Sequence, residues 1–129
     1  MSNSIIMAAK DIPILFSCDV FVLGLGMSGF SAAVSAARAG AAVIAVDEDH
    51  YPGGIATSTL MCSASNYFVT RDGKQVTFGL PIELFDNVVR ERGAEPNYLR
   101  ATQPQIPFDP EVMKRVMIQM LMDADVKTL

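Results

Sequence analysis

Residues 20–29 read Val-Phe-Val-Leu-Gly-Leu-Gly-Met-Ser-Gly, an apolar run that breaks into three spaced glycines. Val20–Leu23 has no polar residue at alternate positions, so it predicts a strand buried on both faces, as in a parallel sheet covered by helices. Gly24, Gly26 and Gly29 fall in the order G-x-G-x-x-G. Alone, that pattern is weak. Placed between a strand and a helix, and ahead of a second strand ending in an acid, it is the turn that holds a dinucleotide pyrophosphate. Gly24 lets the chain turn sharply out of the strand, Gly26 lets the backbone approach the pyrophosphate, and Gly29 lets the helix lie close on the sheet. The anion then meets unpaired N–H groups and the positive end of the helix dipole. Met27 and Ser28 lie inside the turn and complete the candidate phosphate site. Ser28 is either only a helix-start residue or a hydroxyl beside a phosphate oxygen.

The flanks have the required form. From Ser28 to Ala39 the chain is rich in alanine, a strong helix former, and Gly40 is placed to end the helix. Ala32, Ala33, Ala36 and Ala37 are small enough for close packing of helix on sheet. Ala42–Val46 is a second buried-strand candidate, and the strand–helix–strand unit is expected to cross over right-handedly. Asp47 closes that strand, 18 positions after Gly29. A carboxylate there accepts hydrogen bonds from both ribose hydroxyls of an adenosine and repels a 2′-phosphate, and Glu48 and Asp49 strengthen the repulsion. The plainer alternative is a glycine-rich turn followed by solvated acids; four features in the right order and spacing favour the nucleotide site. Gly53-Gly54-Ile55-Ala56-Thr57 adds a second glycine pair that allows close approach to a ligand, against the alternative of a simple turn after Pro52. Strand, turn, helix and acid alone leave NAD and FAD both open.

Composition bounds the rest. The chain has 129 residues, half of them apolar and 19% charged, so it is one domain or less and is neither disordered nor low-complexity. With a formal charge of −4 and no basic cluster, it does not suit general nucleic-acid binding. No apolar run approaches the ~20 residues that cross a bilayer, and no signal peptide is recognisable. Cys18 and Cys62 match no metal or redox spacing, so no metal is expected and the setting reads as cytoplasmic.

Further along, Asp72-Gly73 between the β-prone stretches Tyr67–Arg71 and Lys74–Phe78 predicts a hairpin with a two-residue loop, both turn positions at positive φ. Pro81–Arg92 predicts a helix with Gly93 at its stop. Residues 94–108 hold Pro96, Pro104 and Pro107 and read as a long loop. Asp109 is the expected N-cap of a helix running to about Asp123. Val126–Leu129 looks like the start of a third strand. Met113, Met117, Met120 and Leu121, with Val112 and Val116, form a stripe at helical spacing that is read as core. The fold class is therefore α/β: a Rossmann-like FAD/NAD(P)-binding fold whose parallel sheet is followed, after the second strand, by a hairpin and helix excursion. Residues 1–17 are a lead-in, and 18–129 form the N-terminal part of the domain. The fold is expected to continue beyond Leu129, completed by later residues of the same protein or by a partner subunit.

The stretch Asp19–Thr57 resembles the N-terminus of FAD-dependent oxidoreductases of the glutathione-reductase-type flavoprotein superfamily. Within it, the resemblance is to bacterial flavoproteins in which Gly-Gly, a small apolar residue and Ala-Thr follow the acidic strand end. Asp11–Leu15 and Phe108–Glu111 are similar to that group as well. The resemblance implies FAD bound in extended form, with Gly24, Gly26, Ser28 and Gly29 at the pyrophosphate and Asp47 at the adenosine ribose. It implies Gly53, Gly54, Ala56 and Thr57 along the pyrophosphate and flavin side, and backbone groups from Val126 onward near the adenine. The chain departs from the pattern at Asp47, where many relatives carry glutamate, and in lacking the later Gly-Asp segment and a substrate domain. The expected function is redox of a small organic substrate through the flavin, with no catalytic acid or base identifiable. The alternatives are an NAD-binding dehydrogenase domain and a non-catalytic fragment or accessory subunit.

His50, the only histidine, is read as a loop residue near the adenosine end rather than a catalytic or covalent-attachment group. Cys62 is read as a buried or half-buried free thiol. Arg71, Lys74, Arg90, Arg92 and Arg100 are scattered and are read as solvated.

Overall fold

A parallel sheet carries the glycine turn. In the computed structural model, which describes residues 11–59, 61–65, 68–100 and 104–129, β1 (Val20–Leu23), β2 (Val43–Val46) and β5 (Lys127–Thr128) run side by side in the order β1-β2-β5. The register pairs Val20 with Val43 and Leu23 with Val46, and Ile44 with Lys127. Helix α1 (Met27–Arg38) links β1 to β2. Between β2 and β5 come α2 (Ile55–Ser58), β3 (Ser63–Ser65), α3 (Leu80–Arg90), β4 (Gln105–Pro107) and α4 (Pro110–Asp123).

One core joins one face of the sheet to α1, α3 and α4. Val22, Val43 and Ala45 meet Phe30, Ala33 and Val34 of α1 and the buried stripe of α4, Val112, Met113, Val116, Met117, Met120 and Leu121. The expected methionine stripe is thus core. Ala33 is buried and Ala36 and Ala37 are half-buried, but Ala32 faces solvent and takes no part in the close packing. Phe68, Phe85, Tyr98 and Phe108 form an aromatic group under the excursion, and the Tyr98 hydroxyl donates to Asp86 Oδ1 at 2.8 Å. Burial and that carboxylate raise the Tyr98 pKa, so the hydroxyl stays protonated.

Burial on both faces of β1 does not hold. Phe21 and Leu23, which alternate with Val20 and Val22 along the strand, are 59% and 80% exposed. The continuous apolar run reflects a two-sided strand, but among the described residues only one side is covered.

The three longer helices end in the same way. Each is closed by two backbone bonds around a left-handed residue: Gly40 (φ +93) after α1, Arg92 (φ +62) after α3 and Asp125 (φ +59) after α4. Gly93 therefore does not supply the left-handed position of α3. It is needed because a Cβ there would come within 2.5 Å of Val112 Cγ1, where α3 meets α4. Asp109 caps α4 as expected, accepting from Glu111 N at 2.8 Å and Val112 N at 3.2 Å.

The excursion departs from expectation in two places. Across the proposed hairpin, Val69 and Gln75 form an isolated antiparallel bridge. Its loop has three residues, 71–73, with only Gly73 at positive φ (+85), and Thr70 N donates to Lys74 O. Tyr67 lies outside the described residues. The stretch 94–108 is not all loop: Gln105–Pro107 pairs antiparallel with Ser63–Ser65, and Ala94 bridges Phe108. The lead-in residues 11–18 have no regular structure, and 1–10 lie outside the described residues.

Candidate functional site

The first glycine turn is built as its spacing requires. Gly24 takes φ +91, and its N–H donates to Val46 O at 2.7 Å, which seats the start of the turn on the end of β2. Gly29 has no room for a side chain, since a Cβ would lie 1.8 Å from the Gly24 carbonyl oxygen. Gly26 differs. Its φ of −58° suits any residue, and a Cβ there would meet nothing within 4 Å. The backbone therefore does not require glycine at 26, while the space in front of it is open, as a cradle for a ligand must be. Gly26 is the N-cap of α1 and contributes no side-chain cap bond, so no cap side chain takes up the first N–H groups of the helix. Ser28 is the second helical residue, exposed and not the cap.

The second glycine pair lies directly on the first. Gly53 forms a parallel bridge with Gly26, and its N–H donates to Leu25 O at 2.8 Å. Gly53 and Gly54 have φ of +117° and +53°. The buried Thr57 locks this turn from behind: its hydroxyl donates to Pro52 O at 2.7 Å, and a Cβ on Gly53 would collide with it. Ala56 is half-buried against the core. Thr57 thus fixes the turn rather than offering its hydroxyl outward.

Asp47 ties the acid to the first turn. Its carboxylate accepts from Asp49 N at 2.9 Å and from Leu25 N. These bonds, Asp49 first, hold its pKa below the usual carboxylate value, so Asp47 is ionised at neutral pH. Each carboxylate oxygen has a second lone pair, which leaves the group able to accept further hydrogen bonds.

Beside Asp47 opens a cavity of about 510 Å³. The loop from Asp47 to Pro52 forms one wall, with Glu48 and His50 exposed on it. Ile118, Leu121 and Met122 of α4, with Val126 and Leu129, form the other. Val126 is buried and precedes β5, and its N–H closes α4 by donating to Leu121 O at 3.0 Å. What Val126 presents to the cavity is therefore not its amide. Met27 and Ser28 line a different hollow, shared with Leu80, Pro81 and Leu84 of α3. The structure thus gathers Gly24, Gly26, Gly29, Gly53 and Gly54 at one point, sets Asp47 and Glu48 on one cavity and leaves Met27 and Ser28 on a different hollow. The α4 wall went unread in the sequence, yet it had a signal: Ile118 and Met122, four apart, are apolar but lie off the buried stripe.

Cys62 is exposed, not buried as expected, and Cys18 is half-buried; both are unpaired. Arg71, Lys74, Arg90, Arg92 and Arg100 are all exposed. Among the described residues, no helix is long and apolar enough to cross a membrane.

A model of the family described as FAD dependent oxidoreductase matches residues 19–129. Sarcosine oxidase subunit alpha of Rhizobium meliloti (strain 1021) is 57% identical over 37 residues, 29% of this chain and 4% of that protein. The crystal structure of Thermovibrio ammonificans THI4 is similar in fold, with TM-score 0.54 and 21% identity over 87% of this chain and 38% of that one. The flavin-dependent monooxygenase PieE, solved with FAD and substrate, aligns at TM-score 0.37 and 16% identity over 87% of this chain and 24% of its own. The chain therefore spans well under half of each of these proteins. Of the two cofactors that the residues leave open, the matching family uses FAD, and the chain belongs to the FAD-dependent oxidoreductase family.

Proposed function

We propose that residues 18–129 are the N-terminal part of the FAD-binding domain of a flavoenzyme, and that they hold the adenosine diphosphate portion of FAD. The observation that carries this reading is Gly26: a glycine that its own backbone does not require, facing open space at an uncapped helix N-terminus. In this reading, Gly24, Gly26, Ser28 and Gly29 surround the pyrophosphate with Met27 beside it. Asp47 accepts from the ribose hydroxyls, and Glu48 disfavours a 2′-phosphate. Gly53 and Gly54 bring backbone close from the other side, with Ala56 and Thr57 supporting them. Adenine enters the cavity beside Asp47, against Val126. The residues present fit the group.

When bound, FAD supplies the redox centre, and the protein binds, orients and tunes it. This chain's own part is to bind. Ionised Asp47 keeps its acceptor lone pairs at neutral pH, and the helix N-terminus offers N–H donors to phosphate oxygens. No residue here is proposed as a catalytic acid or base. The substrate is a small organic molecule, met by polypeptide outside this chain.

Two features support completion by later residues of the same protein or by a partner subunit. β1 pairs only with β2 among the described residues, and its other face leaves Phe21 and Leu23 in solvent. The relative from Rhizobium meliloti is itself named a subunit. Two unpaired cysteines suit a reducing cytoplasm.

The test is the flavin content of the protein as its gene encodes it. Purified protein should show the flavin absorbance and release FAD, not FMN, on denaturation. Protein that carries no flavin and takes none up from added FAD contradicts the reading.

A further inference from the structure

The loop from Glu48 to Pro52 joins the acid to the second glycine pair, yet it lies in neither a helix nor a strand. The cavity beside Asp47 lies between this loop and α4, so the spacing of the two elements sets its width. The loop is tied to α4 at Tyr51, a lining residue of the cavity. Lys114 of α4 places its ammonium 3.9 Å from the centre of the Tyr51 ring. The same ammonium bonds Glu111 Oε1 at 2.7 Å, one turn back along the helix. Lys114 is unusually covered for a surface lysine, its side chain only 16% exposed. Its stem lies along the protein while its head meets the ring face, where a cation is attracted by the π electrons. Glu111 of the helix, through its hydrogen bond, and Asp49 of the loop both raise the Lys114 pKa, so the cation interacts with both elements.

We propose that Lys114 is a positioning residue for the cofactor: by gripping Tyr51 it holds the 48–52 loop against α4 and sets the width of the cavity that receives the adenosine end of FAD. This rests on the FAD reading above. It assigns Lys114 no contact with the cofactor. None of Gly24, Gly26, Gly29, Gly53 and Gly54 lines that cavity, so widening it should weaken the adenosine end and spare the pyrophosphate cradle.

The experiment measures binding of ADP, and separately of inorganic pyrophosphate, to the flavin-free protein as its gene encodes it. Five forms are compared: unaltered, Lys114→Met, Lys114→Arg, Tyr51→Leu and the double variant of Lys114→Met with Tyr51→Leu. Lys114→Met keeps the stem and removes the charge, and should weaken ADP binding by roughly 3- to 30-fold, the range of a partly covered cation–ring contact. Lys114→Arg keeps a cation over the ring and should stay within about twofold. Adding Lys114→Met to Tyr51→Leu should cost nothing further, since the partner is already gone. Pyrophosphate should bind all five alike. Unchanged ADP affinity in Lys114→Met overturns the proposal, and so does an equal loss for pyrophosphate, which would mark a general structural defect. Failure of the unaltered protein to bind ADP is a different outcome: it sinks the FAD reading and this proposal with it.

Discussion

Gly54 lies so close to Gly26 that a Cβ on Gly54 would stand 3.1 Å from the Gly26 Cα. The two glycine turns, 28 positions apart in the chain, thus meet at one point and form the floor of a single cradle. Gly54 cannot take a side chain without pressing on the backbone of Gly26.

Gly54→Ala should therefore harm both fold and binding. The backbone at φ +53°, ψ −128° is a conformation that residues with a side chain rarely adopt, costing alanine roughly 1–3 kcal/mol, and the new methyl presses on Gly26. A lower unfolding midpoint together with weaker FAD binding is expected. A variant with unaltered midpoint and unaltered affinity would show that the contact is not tight.

Asp47 makes stability depend on acid. Its folded pKa is depressed by the Asp49 and Leu25 amides, so its contribution is full above the ordinary carboxylate value of about 4 and is lost as pH falls through the folded value. Asp47→Asn should be less stable than the parent at neutral pH, and the gap should close as pH drops below about 4. Asp72 and Glu83 are depressed too, but they are common to both proteins and cancel in the difference. A gap that stays constant down to acid pH would contradict the bonding seen at Asp47.

Arg38 and Glu83 join α1 to α3 through two hydrogen bonds of 2.6 and 2.7 Å, with side chains 43% and 41% exposed. At that exposure the pair contributes little. Glu83→Gln should cost under about 1 kcal/mol at low salt, and the cost should shrink as salt rises toward about 1 M. A loss of several kcal/mol in chemical denaturation, insensitive to salt, would mean the pair does more than its exposure allows.

How far the sequence could be read followed the strength of local signals. Gly24, Gly29 and Asp47 stand at positions where backbone geometry or packing leaves little choice, so their spacing was legible. Asp109 and the α4 stripe were legible for the same reason, a cap and a period of 3.6. β3 and β4 were not: Ser-Ala-Ser and Gln-Ile-Pro are three residues each, with no period to detect. Arg92 in place of Gly93 at the helix end was hidden because glycine serves two purposes, conformational freedom and lack of bulk, and here the second applies. The bare face of β1 was hidden too, since an apolar residue states what a strand prefers to touch and not whether it touches it. The α4 wall of the cavity left only a partial signal, Ile118 and Met122 off the buried stripe; that they face a loop some seventy positions earlier is a long-range relationship that this spacing does not encode.

The most direct test of the account is Gly26→Ala, with FAD affinity and unfolding measured on the same preparation. The backbone accepts alanine at φ −58° and the methyl meets nothing within 4 Å, so stability should change by no more than about 1 kcal/mol. FAD affinity should fall by about ten- to a hundredfold, because the methyl stands where the pyrophosphate must lie. A folded Gly26→Ala protein that binds FAD as tightly as the parent would show that the cofactor does not lie in this turn.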